Sequence, residues 1–235
     1  MPQNQLSSIF LQYLAQHSSL DQATNGETPA TDRLPSLNDV SKELGVSVAL
    51  LREQVEVAKA IGLVEVRPRT GIRRLPYSFL PAVRQSLSYA IAVDQSHFME
   101  FSDLRNHIEA AYWSEATQLL TSEDHQRLMS LVNRAWEKLN GQPIQIPHEE
   151  HRQLHLRIYT RLKNPFVLGL LEAYWEAYEA VGLNLYADYR YLQQVWAYHQ
   201  EMVEAICAGD FDRGYRALLQ HKDLIFHRPD LHAVK

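Results

Sequence analysis

Residues 34–74 read LPSLNDVSKELGVSVALLREQVEVAKAIGLVEVRPRTGIRR, and this stretch decides the fold of the first part of the chain. Ser36 is placed to cap a helix over 37–44, and Gly45, which is free to adopt a positive φ, ends it. Apolar residues recur at helical spacing after this glycine, which predicts a second helix over 48–61. Because a short turn containing a glycine separates the two helices, the pattern is typical of a helix-turn-helix.

A short β-hairpin is predicted after the second helix. Ser47 caps that helix and Gly62 ends it; residues 63–67 are then β-prone, and 72–74 form a possible return strand beyond a turn. Helix, turn, helix and hairpin together predict a winged helix-turn-helix, whose second helix enters the major groove of DNA. A generic helical pair with a hairpin lid is the alternative.

Positive charge is concentrated in this same stretch. The whole chain has 23 basic and 28 acidic residues, a net charge of −5, whereas residues 52–74 contain six basic side chains against three acidic ones. Alone, such a surplus describes a solvated basic face; on a capped helix and a hairpin it predicts contacts with double-stranded DNA, mostly at phosphates. The residues that we expect to contact the duplex are Ser47, Arg52, Arg67, Arg69, Thr70 and Gly71.

The rest of the chain is predicted to be almost entirely helical. A short helix over 7–16 precedes a polar segment over 17–33, which we interpret as a mobile loop. Beyond Pro76, helices are predicted over 80–93, 97–120, 122–139, 147–162, 165–181, 190–207 and 211–226. The predicted fold class is therefore mostly α: a winged helix-turn-helix domain over 1–76, and a bundle of six or seven helices over 77–235.

The compartment follows from three simple features. The only cysteine, Cys207, has no partner for an internal disulfide, and the first residues lack the pattern of a secretion signal. No uninterrupted apolar run is long enough to span a bilayer. We therefore expect a cytoplasmic protein without a membrane partner.

Four of the eleven histidines have positions that suit a shared metal ion. His151 and His155 are four residues apart and therefore share one face of a helix. His199 lies ten residues before Gly209 and His221 twelve after it, so in an antiparallel hairpin the two are at nearly the same height. Four neutral imidazoles suit zinc, nickel, cobalt or copper, with zinc and nickel the leading choices. Surface or core histidines without a metal are the alternative.

The other seven histidines have no partner geometry and are expected to face solvent. They are His17, His97, His107, His125, His148, His227 and His232.

These motifs together resemble the GntR superfamily, specifically its FadR-like subgroup with a helical (FCD-type) effector domain. The resemblance extends from Leu34 to about His221. In the first half it rests on Leu34-Pro35-Ser36, on residues 40–47, on Arg52-Glu53, on Gly62-Leu63-Val64 and on Arg69-Thr70-Gly71. In the second half it rests on Asp103-Leu104-Arg105 with Ile108-Glu109, on residues 151–155 through Asn164-Pro165, and on His199, Ala208-Gly209-Asp210 and His221.

The resemblance implies a homodimer that reads two half-sites, and an effector domain with one aspartate and three histidines around a metal. By position, His155, His199 and His221 take the histidine roles, and His151 stands where the aspartate is usual. This departure leaves two possibilities: a more cationic site that favours an anionic effector such as a carboxylate, or a His151 that does not bind the metal. By family position Arg105 helps to hold the effector, with a structural ion pair as the alternative.

A second departure lies in the predicted recognition helix. Val48 and Leu50 stand where the family often has a basic residue and a proline, so the resemblance supports DNA binding more than it identifies an operator. The predicted function is a DNA-binding regulator, not an enzyme, whose operator binding is modulated by an anionic effector at a metal site.

Two other functions compete with this one. The first is a sensor for which the metal itself is the signal. The second is a metal-dependent hydrolase, which needs a general base near the metal; Glu149 and Glu150 are near in sequence, but Glu150 points about 100° away from His151 on a helix. Because the imidazoles must be neutral to bind, metal affinity is expected to fall as the pH drops through about 6.5.

Overall fold

The computed structural model describes Leu6 and the ranges 8–17, 33–183 and 188–224. It divides the chain into two compact units, Met1–Gln85 and Ser86–Lys235. Each unit has its own buried apolar core. The predicted domain border, after position 76, lies nine residues before the end of the first unit and stays a prediction.

The first unit is a winged helix-turn-helix. Its described elements are α1 (Ile9–His17), α2 (Leu37–Leu44), α3 (Val48–Ala60), β1 (Val64–Arg67) and β2 (Gly71–Arg74). The two strands are antiparallel, with Val64 opposite Arg74 and Arg67 opposite Gly71, so residues 68–70 form the tip of the wing. The predicted order of helix, turn, helix and hairpin is confirmed.

Local hydrogen bonds explain why α2 and α3 begin where they do. The Ser36 hydroxyl accepts from the Asp39 backbone N–H at 3.3 Å, and the Ser47 hydroxyl accepts from the Leu50 N–H at 3.2 Å. Each bond satisfies a donor that has no partner within the helix. Gly45, at φ 66°, makes the left-handed turn between the helices, where a side chain would strain the backbone.

The segment predicted as a mobile loop over 17–33 has regular backbone structure at both of its described ends. His17 is the last residue of α1, and Arg33 forms an isolated antiparallel bridge with Arg73 of the wing. The unpaired edge of a two-stranded hairpin offers free backbone groups, which explains why the incoming chain pairs there. Residues 18–32 lie outside the described residues.

The remaining described elements are all helical. They are α4 (Leu80–Val93), α5 (His97–Gln118), α6 (Ser122–Leu139), α7 (His148–Tyr159), α8 (Pro165–Ala180), α9 (Tyr189–Ala208) and α10 (Phe211–Asp223). The predicted mostly-α fold class is therefore confirmed. None of the described helices is both long and apolar enough to cross a membrane.

Packing of the second unit brings α5, α7, α9 and α10 around one region. Helix α5 contacts both α7 and α10, and α9 and α10 form the most extensive helix pair. The turn between α9 and α10 is Gly209, at φ 74°, followed by Asp210, whose carboxylate accepts from the Arg213 N–H at 3.0 Å and caps α10. Leu128, Leu154 and Met202 are fully buried in the core beneath these helices.

Gly62→Ala should destabilise the first unit by about 2–5 kcal/mol. Gly62 has a φ of 75°, and a Cβ there would lie 2.5 Å from Cγ of Pro81. Gly45→Ala is the matched control, because its φ is 66° but nothing lies within 4 Å of the added Cβ. It should lose only about 1–2 kcal/mol of backbone strain.

Urea unfolding measures this difference. All four tryptophans are in the second unit, so their fluorescence reports that unit, whereas far-UV circular dichroism reports both units. We expect an early dichroism transition in Gly62→Ala with unchanged fluorescence. Equal transitions in the two glycine variants would contradict the role of the Pro81 contact.

Candidate metal centre and nucleic-acid interface

The structure brings His151, His155, His199 and His221 together. Each offers a ring nitrogen, and these four atoms all lie within 4.8 Å of one another. His151 and His155 are on successive turns of α7, with ring centroids 5.1 Å apart. His199 of α9 and His221 of α10 face each other across the hairpin, with centroids 4.3 Å apart. The cluster therefore joins three helices.

The spacing of the nitrogens suits a small metal ion. The Nε2 atoms of His155 and His199 are 3.0 Å apart. Two nitrogens held by one tetrahedral zinc at about 2.0–2.1 Å are about 3.3–3.4 Å apart, so only a small adjustment is needed.

Burial removes the usual partners of these rings. The exposed fraction is 1% for His155, 0% for His199 and 6% for His221. Within the described part of the chain, Nε2 of His151 and Nδ1 of both His199 and His221 are buried and have no hydrogen-bond partner. Buried polar atoms without partners are costly, and imidazole nitrogens are good ligands for zinc, nickel and copper, so the residues present fit a metal ion.

The surroundings keep the four rings neutral. Burial, followed by neighbouring histidines and Arg105, lowers the pKa of His151, His199 and His221 well below the usual value. Burial also lowers the pKa of His155, although the Glu109 carboxylate opposes this. Because protons compete with the metal only below these lowered pKa values, the fall in affinity expected near pH 6.5 moves to a lower pH.

Arg105 is paired with an acidic side chain beside the cluster. Its Nη2 lies 3.0 Å from Oε1 of Glu109, and its Nη1 donates to Oδ1 of Asn106 at 3.1 Å. Arg105 is 5% exposed and Glu109 is 1% exposed. The structural ion pair that the sequence left open is therefore present, and only Nε of Arg105 has no partner among the described residues.

Glu109 also orients His155. Its Oε1 lies 3.1 Å from Nδ1 of His155, and Nη2 of Arg105 lies 2.8 Å from the same nitrogen. If Nε2 is to bind a metal through its lone pair, the ring proton is on Nδ1 and is donated to Glu109. Burial acts to raise the pKa of Glu109, but Arg105 and His155 outweigh it and hold the carboxyl below its usual pKa, so it stays ionised.

Sequence reasoning placed Glu109 only within a family signature and gave it no role. The signal that could have found it is its spacing from Arg105, since residues four apart on α5 share a face. By contrast, Glu150 is directed away from the cluster, as its helical position predicts. It is bound by Lys138 at 2.7 Å, so it is not a base for metal-bound water.

His148 is not simply solvent-facing as predicted. Its ring stacks on Tyr178 with centroids 5.6 Å apart and planes 7° apart, and its Nε2 lies 3.0 Å from Oε1 of Glu179. His148 is the first residue of α7, and its ring packs against these two residues of α8. His107 is exposed as expected, whereas His17, His97 and His125 are half-buried. His227 and His232 lie outside the described residues.

The residues expected to contact DNA lie at the start of α3, along α3 and on the wing. Ser47 and Arg52 are exposed on the helix, and Arg67, Arg69 and Thr70 are exposed at the wing tip, which Gly71 closes at φ 84°. Arg69 itself adopts a left-handed φ of 67°. Arg67 is also paired within β1, because its Nη2 lies 3.0 Å from Oε2 of Glu65.

Sequence reasoning missed Arg33 as a candidate for the DNA surface. Its side chain runs beside Gly71, such that a Cβ on that glycine would lie 3.6 Å from Nε of Arg33. Arg33 and Arg52 also line a groove of about 810 Å³ between α3 and the wing. No sequence pattern could place Arg33 there, because it belongs to a segment without periodicity and is positioned by its bridge to Arg73.

A winged helix-turn-helix unit and a helical unit with a buried ligand cluster define a DNA-binding regulator with an effector domain. The family model described as "FCD domain" matches residues 100–224, more than half of the chain. The chain belongs to this family, and it is a FadR-like member of the GntR superfamily of transcription regulators.

Relatives support the same assignment. The chain is 22% identical over 203 residues to the HTH-type transcriptional regulator LutR of Bacillus subtilis (strain 168), covering 84% of this chain and 91% of that protein. It is 24% identical over 209 residues to the Uxu operon regulator of Haemophilus influenzae, covering 81% and 71%. The solved structure of Streptococcus agalactiae GntR matches with a TM-score of 0.65 at 18% identity, covering 90% and 94% of the two chains, and shares the fold.

These findings establish the general function of the chain. The chain is a transcription regulator with an effector-binding domain, and as such binds operator DNA. Since its relatives are named as transcription regulators, the expectation that it is not an enzyme is confirmed.

Glu109→Gln should weaken zinc binding about 10–100-fold, because it removes the charged acceptor that orients His155 and leaves Arg105 without its carboxylate partner. Glu115→Gln, an exposed position on the same helix α5, is the matched control. Competition titration against a chromophoric chelator gives both affinities once circular dichroism shows that both variants are folded. Equal zinc affinities would show that Glu109 does not orient the cluster.

Proposed function

We propose that this regulator binds one divalent transition metal, zinc or nickel, through His151, His155, His199 and His221, and that a small anionic effector of the carboxylate type binds beside it. The observation that carries the proposal is the cluster of four ring nitrogens within 4.8 Å of one another. Three of the four rings also have one buried nitrogen that has no hydrogen-bond partner among the described residues. A bound metal supplies a positive charge that attracts the effector.

The charges around the cluster favour an anion. Four neutral imidazoles do not compensate a divalent cation, and Glu109, the one carboxylate that touches them in the described part of the chain, is already paired with Arg105. By family position His151 replaces an aspartate, which removes one more negative charge. The expected site charge is therefore close to +2, so a carboxylate has more to gain there than a neutral ligand.

A metal-free pocket is the competing interpretation of the same cluster. In that case the histidines would act as hydrogen-bond donors to the effector. Each unpartnered ring nitrogen would then need a partner from the effector, and the nitrogens of three separate helices would have to be satisfied at once. A single ion satisfies all four without requiring a particular effector shape, which is why we favour the metal.

DNA binding is proposed to use Ser47, Arg52, Arg67, Arg69, Thr70 and Gly71, in a homodimer that reads two half-sites. Linking two weak half-sites raises the effective concentration of the second contact. The effector modulates DNA binding only if it binds one arrangement of the dimer more tightly than another.

A metal sensor is the second candidate function, since four neutral histidines form a complete ligand set without an effector. Titrating metal alone against operator binding separates these two functions.

Tag-free wild type should take up about one zinc or nickel ion per chain, and a His199→Ala, His221→Ala double variant should take up much less. The two substitutions remove the ligands from α9 and α10 and leave only the pair on α7. Elemental analysis after metal incubation and gel filtration gives the stoichiometry.

The control for this measurement is a His107→Ala, His125→Ala variant, which removes two histidines outside the cluster. It should retain the wild-type metal content. Equal content in the cluster variant and the wild type, or no metal in the wild type, would sink the metal assignment.

Arg69→Ala should weaken binding to all duplex sequences and reduce the slope of log affinity against log salt by about one. Arg69 is exposed at the wing tip, where a phosphate contact carries no base specificity. Arg127→Ala, an exposed arginine of α6, is the control and should keep the wild-type slope. Fluorescence anisotropy over a salt series measures both. A wild type without salt-dependent DNA binding would contradict the proposed interface.

A further inference from the structure

The first turn of α3 presents apolar side chains to solvent. After the capping residue Ser47, the helix begins with Val48, Ala49 and Leu50. Ala49 is exposed, Leu50 is 36% exposed and Val48 is half-buried. Between Ser47 and Arg52, no side chain can donate or accept a hydrogen bond. The N-terminal end of α3, which in a helix-turn-helix contacts the base edges, therefore carries an apolar surface.

The exposed part of this turn is separate from the core of the first unit. The buried face of α3 consists of Leu51, Val55 and Ala58. At about 100° per residue, Leu50 points about 100° away from Leu51, and Ala49 points about 160° away from it. Both side chains therefore lie outside the core-facing side of the helix, and a partner molecule can cover the exposed part of Leu50.

The neighbours of Leu50 identify this partner as the DNA duplex. Ser47 precedes Leu50 and Arg52 follows it, and both are exposed and belong to the proposed DNA surface. At a rise of about 1.5 Å per residue, Ser47 and Arg52 are about 7–8 Å apart along the helix, whereas the major groove is about 12 Å wide. A duplex that contacts both of these residues therefore also meets the side chains between them.

Thymine is the base that an apolar side chain can recognise in the major groove. The base pairs present hydrogen-bond donors and acceptors there, and thymine adds a C5-methyl group. Against a donor or acceptor, Leu50 would displace water without replacing its hydrogen bond, which is costly. Against the methyl group, two apolar surfaces leave water together. The small side chain of Ala49 lets the helix approach the base edges closely.

We propose that Leu50 is a specificity residue that reads a thymine in each operator half-site by contact with its C5-methyl group. The inference rests on the proposed function and deepens it by naming the base that α3 selects. The contact displaces no counterion from a phosphate, so it contributes to sequence specificity but not to the salt dependence of binding. In this respect Leu50 differs from Arg69 of the wing, whose contact with a phosphate carries no base specificity.

The test removes single methyl groups from the DNA. Full-length wild type first selects its operator from randomised duplexes, with zinc and without it, so that the selection does not depend on the metal. Each thymine of the selected half-site is then replaced in turn by uracil, which lacks the C5-methyl group and pairs in the same way. Fluorescence anisotropy gives the affinity of each duplex for wild type, Leu50→Ala and Val57→Ala.

Val57→Ala is the matched control. Val57 is 51% exposed and lies seven residues after Leu50. Seven residues are about two turns, so Val57 is on the same side of α3 but about 10 Å further from its N-terminal end. Both variants shorten an exposed apolar side chain to a methyl group, and circular dichroism first shows that both are folded.

At one thymine of the half-site, uracil should lower the affinity of wild type and of Val57→Ala about fourfold, the change expected when one methyl group stays in water. Leu50→Ala should bind the thymine duplex more weakly than wild type does, and should bind the thymine and uracil duplexes with equal affinity. Its slope of log affinity against log salt should equal that of wild type, because no phosphate contact is lost.

A wild type that binds equally well with uracil at every thymine, or that selects an operator without thymine, would overturn the inference and leave the proposed regulator intact. The same holds if uracil lowers the affinity of Leu50→Ala as much as that of wild type. The first two results need no variant, so they decide the matter even if Leu50→Ala does not fold. A wild type that selects no operator at all would overturn the proposed DNA surface, and this inference with it.

Discussion

The convergence of four imidazole rings, three of them buried and that of His151 half-buried, is the constraint on which the second unit depends. A buried polar nitrogen is costly unless something binds it. In the described structure, the ring nitrogens of His151, His199 and His221 include one buried atom each that the chain leaves without a partner. The helices α7, α9 and α10 thus pack their apolar faces into a core and also converge on the polar histidine cluster. A ligand that binds the cluster in the folded state therefore stabilises this arrangement of helices.

Glu109 is the carboxylate that contacts this cluster among the described residues. It serves Arg105 and His155 at once, at 3.0 and 3.1 Å, and both partners keep it ionised despite complete burial. A buried carboxylate that contacted only Arg105 would form an ion pair but would not orient the His155 ring. By sharing one oxygen, Glu109 connects the guanidinium of α5 to the imidazole of α7, so any shift of α5 changes the direction of a predicted ligand.

Local chemistry made much of the fold predictable. The serine caps and left-handed glycines of α2 and α3 mark helix ends by hydrogen bonds within four residues, and these ends were placed correctly to within one position. Helical spacing likewise identified the pair His151 and His155 on α7. The similar distances of His199 and His221 from Gly209 identified the pair across the hairpin. Arg33 could not be placed in this way, because it is held by a bridge to Arg73, forty residues further along the chain.

The sequence by itself determined the order of elements, the two-unit character and the four histidines, since each depends on spacing along one helix or around one turn. Only the tertiary structure decided the partners. It joined Glu109 of α5 to His155 of α7, held Arg33 beside Arg73 of the wing, stacked His148 on Tyr178 and left the indole N–H of Trp175 without an acceptor among the described residues. The physical reason is that a side chain's charge and donors are visible in the sequence, whereas the group that meets them usually comes from another helix or strand, whose approach is set by packing.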